Sequence, residues 1–145
     1  MKKNLSFALI LLALTGCAGI QPPQGQENQR TFVRTTDKPY REAYRIIAKQ
    51  MRACYRVIGV FGNGYDVQAD LDTENKTGTI ELYYIGLTGA EKPEDSMVSR
   101  TVVVTGTPTG STITTTGTTP KFVYLTHMTI PSWLDGVESC GPTGQ

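Results

Sequence analysis

Residues 39–55, Pro-Tyr-Arg-Glu-Ala-Tyr-Arg-Ile-Ile-Ala-Lys-Gln-Met-Arg-Ala-Cys-Tyr, decide the fold class. Tyr40, Ala43, Tyr44, Ile47, Met51, Cys54 and Tyr55 recur at spacings of three and four, which places them on one face of a helix. Pro39 suits the first turn, where its missing N–H would be unbonded anyway, and Thr36 and Asp37 are cap candidates. Arg41, Arg45, Lys49, Arg52 and Arg56 repeat with nearly the same period, but each step rotates a side chain by about 100°, so they occupy a different arc. The helix therefore has a core face and a basic stripe, and it is the first ordered element the pattern predicts.

Downstream the period changes from helical to two. After Val57 to Phe61, the Gly62-Asn63-Gly64 run permits the positive φ angles of a tight connection. Tyr65, Val67, Ala69 and Leu71 then alternate with Asp66, Gln68, Asp70 and Asp72, as in a strand with one buried face. A polar turn around Asn75 and Gly78 leads to a second strand over Thr79–Leu87, and residues 88–96 have loop composition. Val98–Thr105 and Thr112–Thr118 are rich in β-branched residues and are separated by Pro108, Thr109 and Gly110, which predicts a hairpin with its threonine hydroxyls facing water. Lys121–Ile130 reads as a last apolar strand and Pro131–Gly136 as a helical turn, with Trp133 closing one end of the core. The fold class expected is α+β: an amphipathic N-terminal helix packed on an antiparallel sheet of four to five strands.

The chain of 145 residues has room for one core. Its beginning is not part of that core. Lys2 and Lys3 precede an apolar run from Leu5 to Leu14, which is short of the roughly 20 residues needed to cross a bilayer. The run ends in Leu14-Thr15-Gly16-Cys17, which resembles the lipobox of bacterial lipoproteins. The resemblance covers the leader and Cys17, and no family of known activity is recognised beyond it. It implies that the Cys17 sulfur receives a diacylglyceryl group and that the chain is cut between Gly16 and Cys17; an ordinary secretory leader containing a cysteine is the alternative. Thiolate nucleophilicity suits cysteine to this alkylation. Palmitate-type acyl chains would hold the protein at a membrane, each buried methylene contributing roughly 0.8 kcal/mol. Ala18, standing where Asp would, resembles the pattern of cargo sent to the outer membrane, with the domain facing the periplasm; another membrane leaflet or the cell surface is the alternative. The organisation expected is a signal peptide over 1–16, a lipidated cysteine and disordered tether over 17–30, and a single domain over 31–145. The tether's Gly, Gln, Pro and Asn cannot bury enough apolar area to order it, and its length spans on the order of 20 Å.

Removing Lys2 and Lys3 with the leader leaves 12 of the 14 basic residues against 13 acidic ones, so bulk charge offers no case for nucleic acid. The charge is nevertheless uneven. Arg34–Arg56 holds seven basic and two acidic residues, a net of +5, whereas Asp66–Asp95 holds two basic and eight acidic, a net of −6. The stripe of Arg41, Arg45, Lys49, Arg52 and Arg56 is a candidate interaction surface for an envelope protein or an anionic glycan or lipid, or else an ordinary solvated face.

Cys54 and Cys140 remain after Cys17, and two leftover cysteines in an exported chain read as one disulfide, with free buried thiols or a metal or redox site as alternatives. They do not form the Cys-x-x-Cys spacing of oxidoreductases. His127 is the only histidine, which rules out a zinc site of several imidazoles. Ser132 and Asp135 follow it closely, but neighbours in sequence do not make a triad, and no Gly-x-Ser-x-Gly occurs. Asp70, Asp72, Glu74 and Glu81 fall on places of a calcium-loop spacing, yet Asn75 stands where that loop requires Gly and strands flank it, so an acidic hairpin tip is the simpler reading. No catalytic residue, metal or cofactor is assigned. The function expected is a membrane-anchored, non-enzymatic accessory or interaction module of the cell envelope. A periplasmic small-ligand-binding domain is the alternative, and a hydrolase of unfamiliar kind comes third.

Overall fold

A computed structural model describes residues 30–60, 62–86 and 97–141. The leader, Cys17, the tether before Arg30 and the loop expected at 88–96 lie outside these residues.

The chain opens not with a helix but with a strand, β1 (Thr31–Thr36), followed by α1 (Tyr40–Tyr55), β2 (Val57–Ile58), β3 (Gly64–Asp72), β4 (Thr77–Ile85), β5 (Met97–Thr107), β6 (Gly110–Gly117) and α2 (Pro120–Leu134). The six strands form one sheet in the order β1-β6-β5-β4-β3-β2, antiparallel throughout. Strands β2 to β6 are thus a plain meander, and β1 joins its far side by pairing Thr31–Thr36 with Ser111–Thr116. Because β1 and β2 occupy opposite edges, α1 must traverse the sheet to connect them, and it packs on β3, β4, β5 and β6. The amphipathic helix expected at 39–55 is therefore present, as the second element rather than the first, and the sheet has six strands rather than four or five.

The face of α1 follows its sequence period. Ala43, Ile47, Met51, Cys54 and Tyr55 are buried, with Tyr40 and Tyr44 partly buried beside them. Thr36 and Asp37 do not cap the helix: the Thr36 hydroxyl accepts the Lys38 N–H at 3.3 Å, and Pro39 occupies the cap position without a side-chain bond. Across from α1 the strands present Val67, Ile80, Leu82, Val102, Val104 and Ile113, which supply most of the core by removing apolar area from water at roughly 25 cal/mol per Å². Gly78 sits where Tyr44 crosses the sheet, and a β-carbon there would collide with the Tyr44 ring. The strand has no side chain at that position because the helix uses the space.

Two sequence expectations are corrected in the C-terminal half. Lys121–Ile130 is not a strand; it belongs to α2, which runs on through Pro131 to Leu134. Val123, Thr126, His127, Ile130, Trp133 and Leu134 are buried at spacings of three and four, so the helical period is present although Phe, Val, Tyr, Thr and Ile favour strands. Packing decides such a segment, since intrinsic preference is only a weak prior. The threonine-rich hairpin is also not uniformly wet: Ser111, Ile113 and Thr115 alternate inward and are buried, and only Thr112, Thr114 and Thr116 lie on the opposite face. The Ser111 hydroxyl donates to the Lys38 carbonyl at 2.9 Å, joining β6 to the start of α1.

The turns follow local chemistry. Asp72 accepts the backbone N–H groups of Glu74 at 3.0 Å and Asn75 at 2.9 Å and the Asn75 amide at 2.7 Å, shaping the β3–β4 turn, which Lys76 completes at φ 52°. At the β2–β3 connection it is Gly62, at φ 76°, that adopts the left-handed conformation.

Candidate functional site

The inward register of β5 runs Val104, Val102, Arg100, so the alternation that buries two valines also drives an arginine into the interior. Arg100 pairs across from Leu82 on β4 and Gly117 on β6 and is only 7% exposed. Its guanidinium lies over the Tyr55 ring at 4.4 Å from the centroid and near Phe122 at 5.6 Å. Nη1 donates to the Thr126 hydroxyl at 2.7 Å, and Nε is buried without a partner. No ion pair of Arg100 occurs among the described residues. Burial lowers its pKa from the ordinary arginine value, with Tyr55 acting in the opposite direction, and the group stays a cation.

This arginine forms part of the wall of a cleft of about 220 Å³ bounded by Cys54, Tyr55, Val57, Tyr65, Leu82 and Phe122. Its rim is apolar and open to solvent: Val57 is 60% exposed, Phe122 43% and Tyr65 40%. Three elements that are distant in sequence, the end of α1, the start of β3 and the first turn of α2, meet there around Ser99 and Arg100 near the start of β5. A cation beneath an apolar rim can hold an anionic group and pack an apolar one.

A second polar pair lies between α2 and the β1 edge. Arg34 donates its Nε–H to His127 Nε2 at 3.2 Å, and the imidazole stacks on Phe32 at 5.4 Å. Nε2 is therefore the acceptor, which puts the proton of the neutral ring on Nδ1, a buried atom without a partner. Burial, and then the Arg34 charge, push the His127 pKa from 6.5 down to about 4. Because the folded value lies below the unfolded one, the neutral ring's contribution is complete above about pH 6.5 and is lost as the pH falls toward 4. The urea midpoint is expected to fall over that window, and His127→Gln is expected to flatten the slope. An unchanged slope in that variant would remove His127 as its source. No hydrogen bond joins His127 to Ser132 or Asp135 among the described residues; Ser132 instead lines a separate cleft with Leu125, Met128 and Val137.

The basic stripe is exposed along its length, as its arc requires, but part of it is neutralised. Lys49 pairs with Glu138 at 2.6 Å and Arg56 with Asp66 at 3.0 Å, while Arg41 bonds the neighbouring Tyr40 hydroxyl at 3.1 Å. Arg45 and Arg52 have no ion pair among the described residues. Cys54 and Cys140 form a disulfide with their Cα atoms 5.1 Å apart, closing an 86-residue separation and fixing the tail to α1. The acidic residues on the calcium-like spacing do not converge: Asp72 is committed to Asn75, Gln68 donates to Asp70 at 3.0 Å, and no metal-binding cluster occurs among the described residues. No helix among them is long and apolar enough to cross a membrane.

Sequence reasoning missed the cleft. Ser99 and Arg100 interrupt the β-branched run of Val98–Thr105, and the period-two relation of Arg100 to Val102 and Val104 is a signal that the equally apolar Val103 leaves ambiguous.

Comparison with known proteins bears on the leader. Residues 1–18 match the family described as the prokaryotic membrane lipoprotein lipid attachment site, so the chain has the leader of a bacterial lipoprotein, anchored to a membrane through lipid at Cys17. The match gives no function-bearing family for the mature domain. Among curated proteins, no relative matches this chain. The crystal structure of protein MLL2253 from Mesorhizobium loti is similar over 77% of this chain and 96% of that one, at 18% identity and a TM-score of 0.40, a likeness too slight to inform fold or activity.

Proposed function

We propose that the protein is a non-enzymatic accessory module of the cell envelope, held by lipid at the outer membrane and facing the periplasm, that works by binding a ligand at the Arg100 cleft. The observation that carries this reading is the buried guanidinium with an unbonded Nε–H and no acidic partner among the described residues. Taking a charge out of water costs several kcal/mol unless it is paired, and apolar residues in place of buried charges are often neutral or stabilising by about 1–4 kcal/mol. A fold that keeps such a group beneath an apolar rim holds it at the expense of stability, as binding sites do. Ala18 after Cys17 supports outer-membrane sorting, and the Cys54–Cys140 disulfide supports an oxidising compartment. The same cleft favours, as the second reading, a domain whose whole task is small-ligand capture.

Two measurements test this. Arg100→Met is expected to leave the urea midpoint unchanged or raise it, and a drop of about 2 kcal/mol or more would make Arg100 a structural residue held by Tyr55 and Thr126. A photo-crosslinking phenylalanine analogue at position 122, in intact cells, is expected to give a discrete mass adduct that Arg100→Met removes and His127→Ala retains. No adduct, or one indifferent to Arg100→Met, rejects the cleft as the working part. An adduct from position 45 in its place would assign the role to the basic stripe.

A further inference from the structure

The chemistry of the cleft specifies more than that something binds. We infer that it takes a small anionic amphiphile, whose carboxylate or phosphate-monoester head accepts hydrogen bonds from the Arg100 guanidinium while its apolar body lies along Tyr55, Tyr65, Phe122 and Val57. This rests on the reading of the cleft as the binding site.

The head group follows from the arginine. Nη1 donates to Thr126 and the ring of Tyr55 covers one face, while the Nε–H is buried without a partner. A cation with an unfilled donor in a desolvated site selects an acceptor that carries negative charge, and an oxyanion is the group whose geometry matches a guanidinium edge. A neutral acceptor would satisfy the bond but not the charge. The apolar body follows from the rim. Val57, Tyr65 and Phe122 surround the opening with large apolar side chains, and a bare inorganic anion would leave them wet. At about 220 Å³ the cleft is smaller than the roughly 300–1,000 Å³ of sites that enclose drug-sized ligands, so it holds the head and the first part of the body while the remainder lies on the exposed rim.

The test uses the mature lipidated chain in zwitterionic nanodiscs, titrated calorimetrically against an empty-nanodisc blank. The probes are octanoate, octyl phosphate, octanol, octylamine, acetate and inorganic phosphate. Saturable 1:1 binding is expected for octanoate, octyl phosphate or both, at least tenfold tighter than for octanol or octylamine and for the two bare anions, with at least a tenfold loss in Arg100→Met. The ratio between the two octyl anions identifies the head group. Equal binding of octanol and octanoate would overturn the anionic head; equal binding of octanoate and acetate would overturn the apolar body. A further arm replaces the carboxylates of residues 87–96, which lie outside the described residues, by Glu91→Gln, Glu94→Gln and Asp95→Asn together. Unchanged octanoate affinity is expected, and a gain of tenfold or more would show that an internal carboxylate is the natural occupant. If every probe fails while the position-122 crosslink persists and still depends on Arg100, the ligand class is wrong and the cleft reading stands. If both fail, the cleft reading falls too.

Discussion

Replacing Cys54 and Cys140 together by alanine is expected to lower unfolding stability by about 3–5 kcal/mol, read as a shift in the urea midpoint of the mature chain. On the chain-entropy account, closing a loop of this length contributes between 4 and 5 kcal/mol, roughly, and strain or residual unfolded structure brings measured values below that. The bridge joins two parts that little else connects. Lys49 and Glu138 form a solvent-exposed ion pair, a kind of contact that adds little to stability, and beyond Leu134 the chain has no further helix or strand of its own among the described residues. Cys54 is itself buried in the core, so the bridge fastens the tail to the helix face that contacts the sheet. A midpoint unmoved by the double replacement would show that the tail docks without it.

Trp133→Ala is expected to cost a further amount of the same size, about 3–5 kcal/mol, the usual range for emptying a buried aromatic site. Trp133 is 1% exposed, meets Tyr55 edge-on at 6.4 Å, and donates its indole N–H to the Ser139 carbonyl at 2.6 Å. That carbonyl belongs to the residue before Cys140, so indole and disulfide hold the same segment. Their effects are therefore expected not to add: Trp133→Phe, which removes the hydrogen bond and keeps most of the ring, should cost less in the Cys54→Ala, Cys140→Ala background than in the parent. Coupling of about 0.5–3 kcal/mol is the range for side chains that share a partner. Strict additivity would mean that the tail keeps its position on one support alone.

The parts of the molecule that were legible in its sequence are those where the signal is local. The α1 face, the β3 alternation and the β5–β6 hairpin each carry their pattern within a short window. The parts that were not legible depend on distant partners. β1 is six residues whose partner strand lies some eighty positions away, and nothing near Thr31–Thr36 announces it. α2 was misread because its β-favouring residues outvote its period until the contacts of Val123, Ile130 and Trp133 with the rest of the core are known. The Arg100 cleft was hidden for a related reason. Val103 is as apolar as Val102 and Val104, so alternation alone does not say which face of β5 is inward, and only the helices covering one face turn Arg100 from a surface cation into a buried one.

By itself the sequence determined the lipid attachment at Cys17, one amphipathic helix, an α+β domain and two cysteines able to pair, since each follows from composition or a short period. Tertiary structure alone decided the two edge strands β1 and β2, the second helix and the burial of Arg100. Strand partners and burial are properties of groups brought together by folding, and the free energy of a charge depends on what surrounds it rather than on its neighbours in the chain.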